Sequence, residues 1–129
     1  MKAITILDPW ATLICEGKKT VETRNWDTDY RGKILIHVSK RSMPDKNYED
    51  YLNKNFVEHL SCKGCIIGEA ELVDIRPFEE VLPEIILNKD IINYCTVEMG
   101  SQFAWILKDA KIYDKPIPAR GNLGLWEYK

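Results

Sequence analysis

The sequence has no hydrophobic run long enough to span a membrane, and no apolar segment near its start that resembles a signal peptide. These two absences predict a cytoplasmic protein without a membrane partner. Repeats, low-complexity tracts and linker-like segments are also missing. We therefore predict a single domain over residues 1–129, long enough to bury about two-thirds of the surface of its unfolded chain.

Cysteine is scarce, with four residues at positions 15, 62, 65 and 95. A disulfide-stapled secreted scaffold is excluded, because a chain of this length builds an adequate core without disulfides. Cys62 and Cys65 have the spacing of half a zinc knuckle, but a closed zinc site needs four ligands. The other two would have to come from isolated residues such as His59 or Cys95. We therefore predict no metal and no cofactor, and interpret Cys62 and Cys65 as thiols in a turn before a strand.

A large net charge is missing as well, since 18 basic and 20 acidic residues leave a formal charge of −2 and a pI of about 5.7. This balance argues against a surface that is basic throughout. The charges are nevertheless segregated along the chain: residues 17–41 hold seven basic and three acidic residues, and residues 69–98 hold eight acidic and two basic ones. The pattern indicates a basic groove backed by an acidic face 69–98 that can bind a protein partner; the alternative is two solvated patches without partners.

Hydrophobic periodicity and turn residues predict a small α+β domain. A helix begins at Pro9, is capped by Asp8 and ends at Gly17. Two more helices are predicted over 45–60 and 78–88, the second interrupted at Pro83, whereas 89–100 is interpreted as a helix fragment and a loop. Strands are predicted over 1–7, 18–24, 33–39, 65–75, 101–113 and 123–128, with a bulge at Gly68 and a loop over 116–121. The whole predicts a curved sheet or small mixed β-barrel of five to six strands with covering helices.

Polar chemistry is concentrated on the predicted strands 18–24 and 33–39. Alternation on the first strand places Thr20, Glu22 and Arg24 on one face and Lys19, Val21 and Thr23 on the other. On the second strand, His37 and Ser39 share a face. This density of polar side chains beside a helix that carries Trp10 is the main functional signal in the sequence.

Several short motifs follow one another along the chain: Pro9-Trp10, the G-x-K-x-x-E-x-R segment from Gly17 to Arg24, Tyr30-Arg31-Gly32, Ile36-His37-Val38-Ser39, Ala104-Trp105, the segment from Pro116 to Gly121, and Gly124-Leu125-Trp126. In this order they resemble the ASCH domain family of the PUA-like superfamily, over essentially the whole chain. The resemblance implies a PUA-like β-barrel with a basic cleft near the G-x-K-x-x-E-x-R strand. It also implies that the protein binds RNA or another nucleic acid.

The same resemblance implies an alternative function, because a subset of the family are small amidohydrolases that remove the acetyl group of N4-acetylcytidine. They use a lysine, a threonine nucleophile and a carboxylate from a later loop. In this chain Lys19 occupies the lysine position, Glu22 stands where the threonine is expected, and Glu98 is the candidate carboxylate. We therefore predict a nucleic-acid-binding module first and an amidohydrolase second. The catalytic candidates of the second function are Lys19, Glu22 and Thr23.

Several of the candidate site residues have two alternative interpretations. The residues predicted to contact phosphate are Lys19, Arg24, Arg31, Lys40 and Arg120, although Arg24 can instead pair with Glu22 along the strand. Trp10 either stacks on a base or anchors its helix in the core. His37 is either a ligand contact, with Ser39 beside it, or a hydrogen-bonded core histidine.

Overall fold

The computed structural model describes residues 1–57, 61–87 and 102–129. Its elements in chain order are β1 (Lys2–Ile6), α1 (Trp10–Cys15), β2 (Val21–Arg24), β3 (Gly32–Val38), α2 (Lys46–Phe56), β4 (Cys65–Pro77), α3 (Phe78–Leu87), β5 (Phe103–Pro118) and β6 (Leu125–Glu127). The strands form one sheet in the order β2-β5-β4-β3-β1-β6, in which only β1 and β3 of the described pairs run parallel. The sheet curls into a half-barrel with the three helices. The predicted α+β class with a mixed, barrel-like sheet is confirmed.

Helix α1 forms the centre of the core, since all six of its residues are buried. Asp8 caps it as predicted, although from one position before the residue that flanks the helix: its Oδ1 accepts hydrogen bonds from the backbone N–H of Thr12 at 2.9 Å and from the Thr12 hydroxyl at 2.7 Å. Gly17 ends the helix region with φ of +78°, and its N–H donates to the carbonyl of Ile14. The predicted termination at Gly17 is therefore confirmed, whereas the helix begins at Trp10, one residue later than predicted.

Two strand boundaries differ from the prediction by three or more residues. Strand β2 begins at Val21, because the N–H groups of residues 18 and 19 both donate to the carbonyl of Leu13 and so belong to the turn that closes α1. Strand β5 continues through Pro118, so the predicted loop over 116–121 is wrong for its first three residues. Prolines are tolerated there because β2 pairs only with the segment 103–106, which leaves 116–118 without a described strand on the outer side.

The two longer helices also follow the prediction in part. Helix α2 begins after Asp45, whose carboxylate accepts a hydrogen bond from the N–H of Tyr48. Helix α3 runs continuously through Pro83, so the predicted interruption is wrong. A proline removes a single N–H from the helical ladder, so the other backbone groups of the helix can still pair. The predictions for 89–100, for Glu98 and for the ligands His59 and Cys95 lie outside the described residues.

The predicted irregularity at Gly68 is confirmed. The pairing of β4 with β5 shifts between Ile66 and Gly68, and a Cβ atom added to Gly68 would lie 2.2 Å from the carbonyl oxygen of Lys111 and 2.7 Å from the sulfur of Cys15. Only glycine permits this close approach of β4 to β5 and to α1. The bulge therefore lets the sheet bend around the helix.

Candidate functional site

A cleft of about 900 Å³ opens where β1 and β3 end and where β2 curls towards them. Its walls come from residues 5–7, Trp10, residues 22–24, His37, residues 39–41 and residues 120–124. Four of these side chains are basic, namely Arg24, Lys40, Arg41 and Arg120, and among the described lining residues Glu22 is the single carboxylate. The cleft is therefore basic, and it lies at the G-x-K-x-x-E-x-R strand.

Glu22 forms a buried ion-pair cluster with two cations in the wall of this cleft. Its Oε1 lies 2.8 Å from Lys19 Nζ and its Oε2 lies 2.9 Å from Arg24 Nη2. Glu22 is 8% exposed and Lys19 only 1%. Burial alone would raise the pKa of the Glu22 carboxyl, but the charges of Lys19 and Arg24 and their hydrogen bonds outweigh it, so this pKa lies below its ordinary value. The lowered pKa favours the carboxylate form of Glu22, and Lys19 and Arg24 balance its negative charge.

The contact between Lys19 and Glu22 corrects the predicted strand geometry. Alternation placed these two side chains on opposite faces, but residue 19 precedes the first residue of β2 and is not bound by its alternation. The Lys19 ammonium group also donates to the carbonyl of Val21. Lys19 consequently lies beneath the cleft and supports Glu22, and it is not among the residues that line the surface.

Arg24 connects the cluster to the opposite wall. Its Nη2 donates to the backbone carbonyl of Thr5 at 3.3 Å, in addition to its pair with Glu22. Its Nε is buried and has no hydrogen-bond partner in the described part of the chain. The guanidinium group is therefore fixed in position while one of its donors stays unsatisfied.

His37 lies at the floor of the cleft and is hydrogen-bonded through both ring nitrogens. Its Nε2 lies 2.7 Å from the carbonyl oxygen of Ala119, which only accepts, so Nε2 carries the proton. Its Nδ1 lies 3.1 Å from Thr5 Oγ1, and Thr5 in turn accepts a hydrogen bond from the indole N–H of Trp126. In the neutral imidazole with its proton on Nε2, Nδ1 is the acceptor and the Thr5 hydroxyl donates to it. This network supports the interpretation of His37 as a core histidine that shapes the cleft.

The segment 120–124 is held against this histidine by Gly121. A Cβ atom at this position would lie 2.7 Å from His37 Cε1 and 2.8 Å from Thr5 Oγ1, so no larger residue fits without movement. Arg120 and Leu123 on either side are exposed, and Leu123 is 98% exposed at the rim of the cleft. The loop thus presents one cation and one apolar side chain from a fixed base.

The other predicted site residues are distributed between the cleft and more distant positions. Trp10, Thr23, Ser39 and Lys40 line the cleft with the residues described above, and Trp10 also packs in the core with its ring 6.3 Å from that of Tyr48. Arg31 lies elsewhere: its Nη1 donates to the carbonyls of Thr28 and Tyr30, both at 2.8 Å. The structure therefore brings the predicted residues together, except Lys19 beneath the surface and Arg31 outside the cleft.

Among the lining residues that sequence reasoning missed are Thr5, Arg41, Asn122 and Leu123. Arg41 follows Lys40 directly, and the run of two basic residues was a usable signal. Thr5 and Asn122 have no such signal in their neighbours. Leu123 was expected to begin the closing strand, but β6 begins at Leu125.

Several carboxylates of the acidic segment 69–98 pair with basic residues that are distant in the sequence or lie on a neighbouring element. On β4, Glu69 pairs with Lys33 of β3 at 3.1 Å, and Glu71 pairs with Lys108 of β5 at 3.7 Å. Glu84 of α3 pairs with Arg76 at 3.1 Å. Basic residues of neighbouring elements therefore interleave with these carboxylates. A protein partner at the acidic face 69–98 stays a prediction, since 88–98 lie outside the described residues.

The described ranges contain neither a cluster of metal ligands nor a membrane-spanning helix. Within 1–57, 61–87 and 102–129, no three His, Cys, Asp or Glu side chains lie close enough together to hold a metal ion. No helix in these ranges is long and apolar enough to cross a membrane.

Comparison with known proteins agrees with the fold described above. The ASCH domain family matches residues 4–117. Activating signal cointegrator 1 of Mus musculus is 27% identical over 135 residues, and that of Homo sapiens is 26% identical; the match covers 96% of this chain but only 22% of either relative. The crystal structure of ASCH from Zymomonas mobilis superimposes with a TM-score of 0.64 at 16% identity, covering 99% of this chain and 87% of that one. Because the family match spans most of the chain and the fold agrees, this protein belongs to the ASCH domain family.

Proposed function

We propose that the cleft binds nucleic acid, and RNA in particular, by contacts to phosphate from Arg24, Lys40, Arg41 and Arg120. The observation that carries the proposal is the charge of the lining, with four cations and a single carboxylate that two cations already neutralise. A free carboxylate there would repel phosphate, whereas the negative charge of Glu22 is balanced by Lys19 and Arg24. Arginine fits phosphate as a fork and lysine as a point charge.

The size of the cleft favours a single-stranded segment as the ligand. Its volume of about 900 Å³ is near the upper end of the roughly 300–1,000 Å³ typical of small-molecule sites. Such a cleft accommodates a nucleotide-sized group, while a duplex is read by an element that enters its groove. Leu123 supplies exposed apolar surface on which a base can pack, and the largely buried Trp10 lines the same cleft.

The test is a titration of a labelled single-stranded RNA, followed by fluorescence anisotropy at two salt concentrations. We expect affinity to fall steeply with salt, because bound cations displace the counterions of the phosphates. Arg120→Gln is expected to weaken binding roughly threefold or more and to lower the salt slope by about 0.7, the value for one phosphate of a single strand. Arg31→Gln is the matched control, because it removes the same charge outside the cleft.

Two results would contradict the proposal. One is binding that does not change with salt. The other is an equal loss of affinity in Arg31→Gln and Arg120→Gln, which would show a general charge effect without a role for the cleft. A double-stranded competitor of equal length tests the preference for a single strand.

A second candidate function rests on the 2.8 Å contact between Lys19 and Glu22, at a cleft wall that also includes Thr23. In an amidohydrolase that acts on N4-acetylcytidine or a related modified nucleoside, the carboxylate of Glu22 would act as the general base. Thr23 or a water molecule would then attack the acetyl carbonyl. Incubation with N4-acetylcytidine tests this function: loss of the acetyl group that disappears in Thr23→Val and Glu22→Gln, with the fold intact, would favour it over the binding module. A wild-type protein that leaves the nucleoside unchanged would exclude it.

Location in the cytoplasm also remains a prediction. Fractionation of cells that express the tagged protein tests it directly, and recovery in a membrane fraction or in the medium would contradict it.

A further inference from the structure

The thiols of Cys62 and Cys65 lie next to each other outside the cleft. Their sulfur atoms are 2.6 Å apart, and neither is in a disulfide. Gly64, with φ of +78°, turns the chain between them so that Cys65 begins β4. Side chains in contact need no backbone movement to reach bonding distance.

The turn that holds these thiols is anchored on both sides. The N–H of Gly64 donates to the carbonyl of Val38 at 2.8 Å, and the N–H of Ala119 donates to the carbonyl of Gly64 at 3.2 Å. The side chain of Lys40 lies over Gly64, with its Cε 2.8 Å from where a Cβ atom would be. Because the turn is fixed, the two sulfurs face each other at a high effective concentration.

The two thiols differ in access to solvent. Cys62 is exposed, whereas Cys65 is only 4% exposed. Burial and then the hydrogen bond with Cys62 raise the pKa of the Cys65 thiol to about 11. Cys62 can therefore meet a dissolved reagent, whereas Cys65 reaches mainly its neighbour. An exposed thiol that reacts first and a shielded one that resolves the adduct are the two parts of a redox-active pair.

We propose that Cys62 and Cys65 form a redox-active dithiol, which a low-molecular-weight disulfide of the glutathione class oxidises to an intrachain disulfide. The Cys62 thiolate attacks one sulfur of glutathione disulfide, which forms a mixed disulfide and releases one glutathione thiolate. Cys65 gives its proton to solvent, and its sulfur then attacks Cys62 Sγ and releases the second glutathione. The protein loses two protons and two electrons, and the glutathione disulfide takes them up to become two thiols.

This proposal goes beyond the proposed function and does not depend on what the cleft binds. The test uses the full chain in a Cys95→Ser background, which leaves the three described cysteines. The protein is incubated with excess glutathione disulfide, unfolded in an alkylating reagent, and analysed by intact mass and peptide mapping. We expect loss of two hydrogens within a peptide that contains both residues 62 and 65, with Cys15 recovered in alkylated form because its thiol is buried and its pKa lies well above the ordinary value.

Single variants separate the roles of the two thiols. In Cys65→Ser, the mixed disulfide on Cys62 is expected to accumulate at least about tenfold above the wild-type level, because nothing resolves it. In Cys62→Ser, Cys65 is expected to stay unmodified. Thermal unfolding of both variants checks that the fold is retained.

Two outcomes overturn the proposal. A wild-type protein that keeps the mixed disulfide at the level of Cys65→Ser would show that Cys65 does not resolve it. A wild-type protein in which both thiols are alkylated after the incubation would show that the pair is not oxidised by this class of disulfide.

Discussion

At the residue scale, the central feature is a carboxylate held between two cations in the cleft wall. Glu22→Gln removes the charge that compensates the buried ammonium group of Lys19. Leaving a buried charge without its partner costs about 3–5 kcal/mol, so we expect a loss of that size in the free energy of unfolding, measured by urea denaturation. Glu71→Gln is the control, because its pair with Lys108 is solvent-exposed and contributes about 0–1 kcal/mol. Equal losses in both variants would contradict the special role of Glu22.

The same residue predicts a pH dependence. Because the folded-state pKa of Glu22 is lower than that of the unfolded chain, its contribution to stability is complete above the unfolded value of about 4.3 and is lost as the pH falls through the folded-state value. The difference in unfolding free energy between wild type and Glu22→Gln should therefore be constant near neutral pH and shrink under acid conditions. Urea denaturation of both proteins at several pH values measures it. A difference in unfolding free energy that grows on acidification would show that the folded-state pKa of Glu22 is raised instead of lowered.

At the scale of the element, the loop 120–124 depends on the absence of a side chain at Gly121. Gly121→Ala would place a methyl group within 3 Å of His37 and Thr5, so the loop must move away from the floor of the cleft. We expect a destabilisation of about 1–3 kcal/mol by thermal unfolding, together with weaker RNA binding because Arg120 is displaced. Asn122→Ala, in an exposed position of the same loop, should change stability by no more than about 0.5 kcal/mol. Similar effects of the two variants would contradict the fixed base of the loop.

Leu123 tests whether this loop contacts the ligand. Its side chain is 98% exposed at the cleft rim, so Leu123→Ser should leave stability within about 0.5 kcal/mol of the wild type. If the residue packs on a bound base, the same variant weakens RNA binding severalfold in the anisotropy titration. Ile112→Ser, which alters an exposed apolar residue of β5 outside the cleft, should leave binding unchanged. Unchanged affinity in Leu123→Ser would exclude Leu123 as a contact.

At the scale of the whole molecule, the cleft exists because the sheet curls. Strand β2 is at one end of the strand order and β1 is next to the other end, yet Arg24 of β2 reaches the carbonyl of Thr5 in β1. Arg24→Lys should break this bridge, since a single ammonium group does not span both Thr5 and Glu22 as the fork does. We expect a loss of about 1 kcal/mol in unfolding free energy and a weaker RNA complex. A variant with wild-type stability would show that the curl does not rely on the bridge.

Much of the fold could be predicted from local pattern. The end of α1 at Gly17, the existence of α2, the bulge at Gly68 and the succession of strands and helices along the chain follow from turn residues and periodicity, which act over a few neighbours. The errors concern residues whose positions depend on how the strands pair. Lys19 lies in the turn before β2, and Pro116 and Pro118 are tolerated because a neighbouring strand ends early. Neither fact is visible until the pairing of the strands is known.

The sequence alone determined the class of the fold, the family and the polar segment from Gly17 to Arg24, because these depend on residue order and short-range periodicity. The tertiary structure decided which basic residues lie together around the cleft. It placed Arg24, Lys40, Arg41 and Arg120 around one cleft, turned Lys19 inward to neutralise Glu22, and left Arg31 outside. These contacts depend on the curl of the sheet, which brings together strands that are far apart in the chain. Local sequence patterns span only a few neighbouring residues and therefore do not predict such contacts.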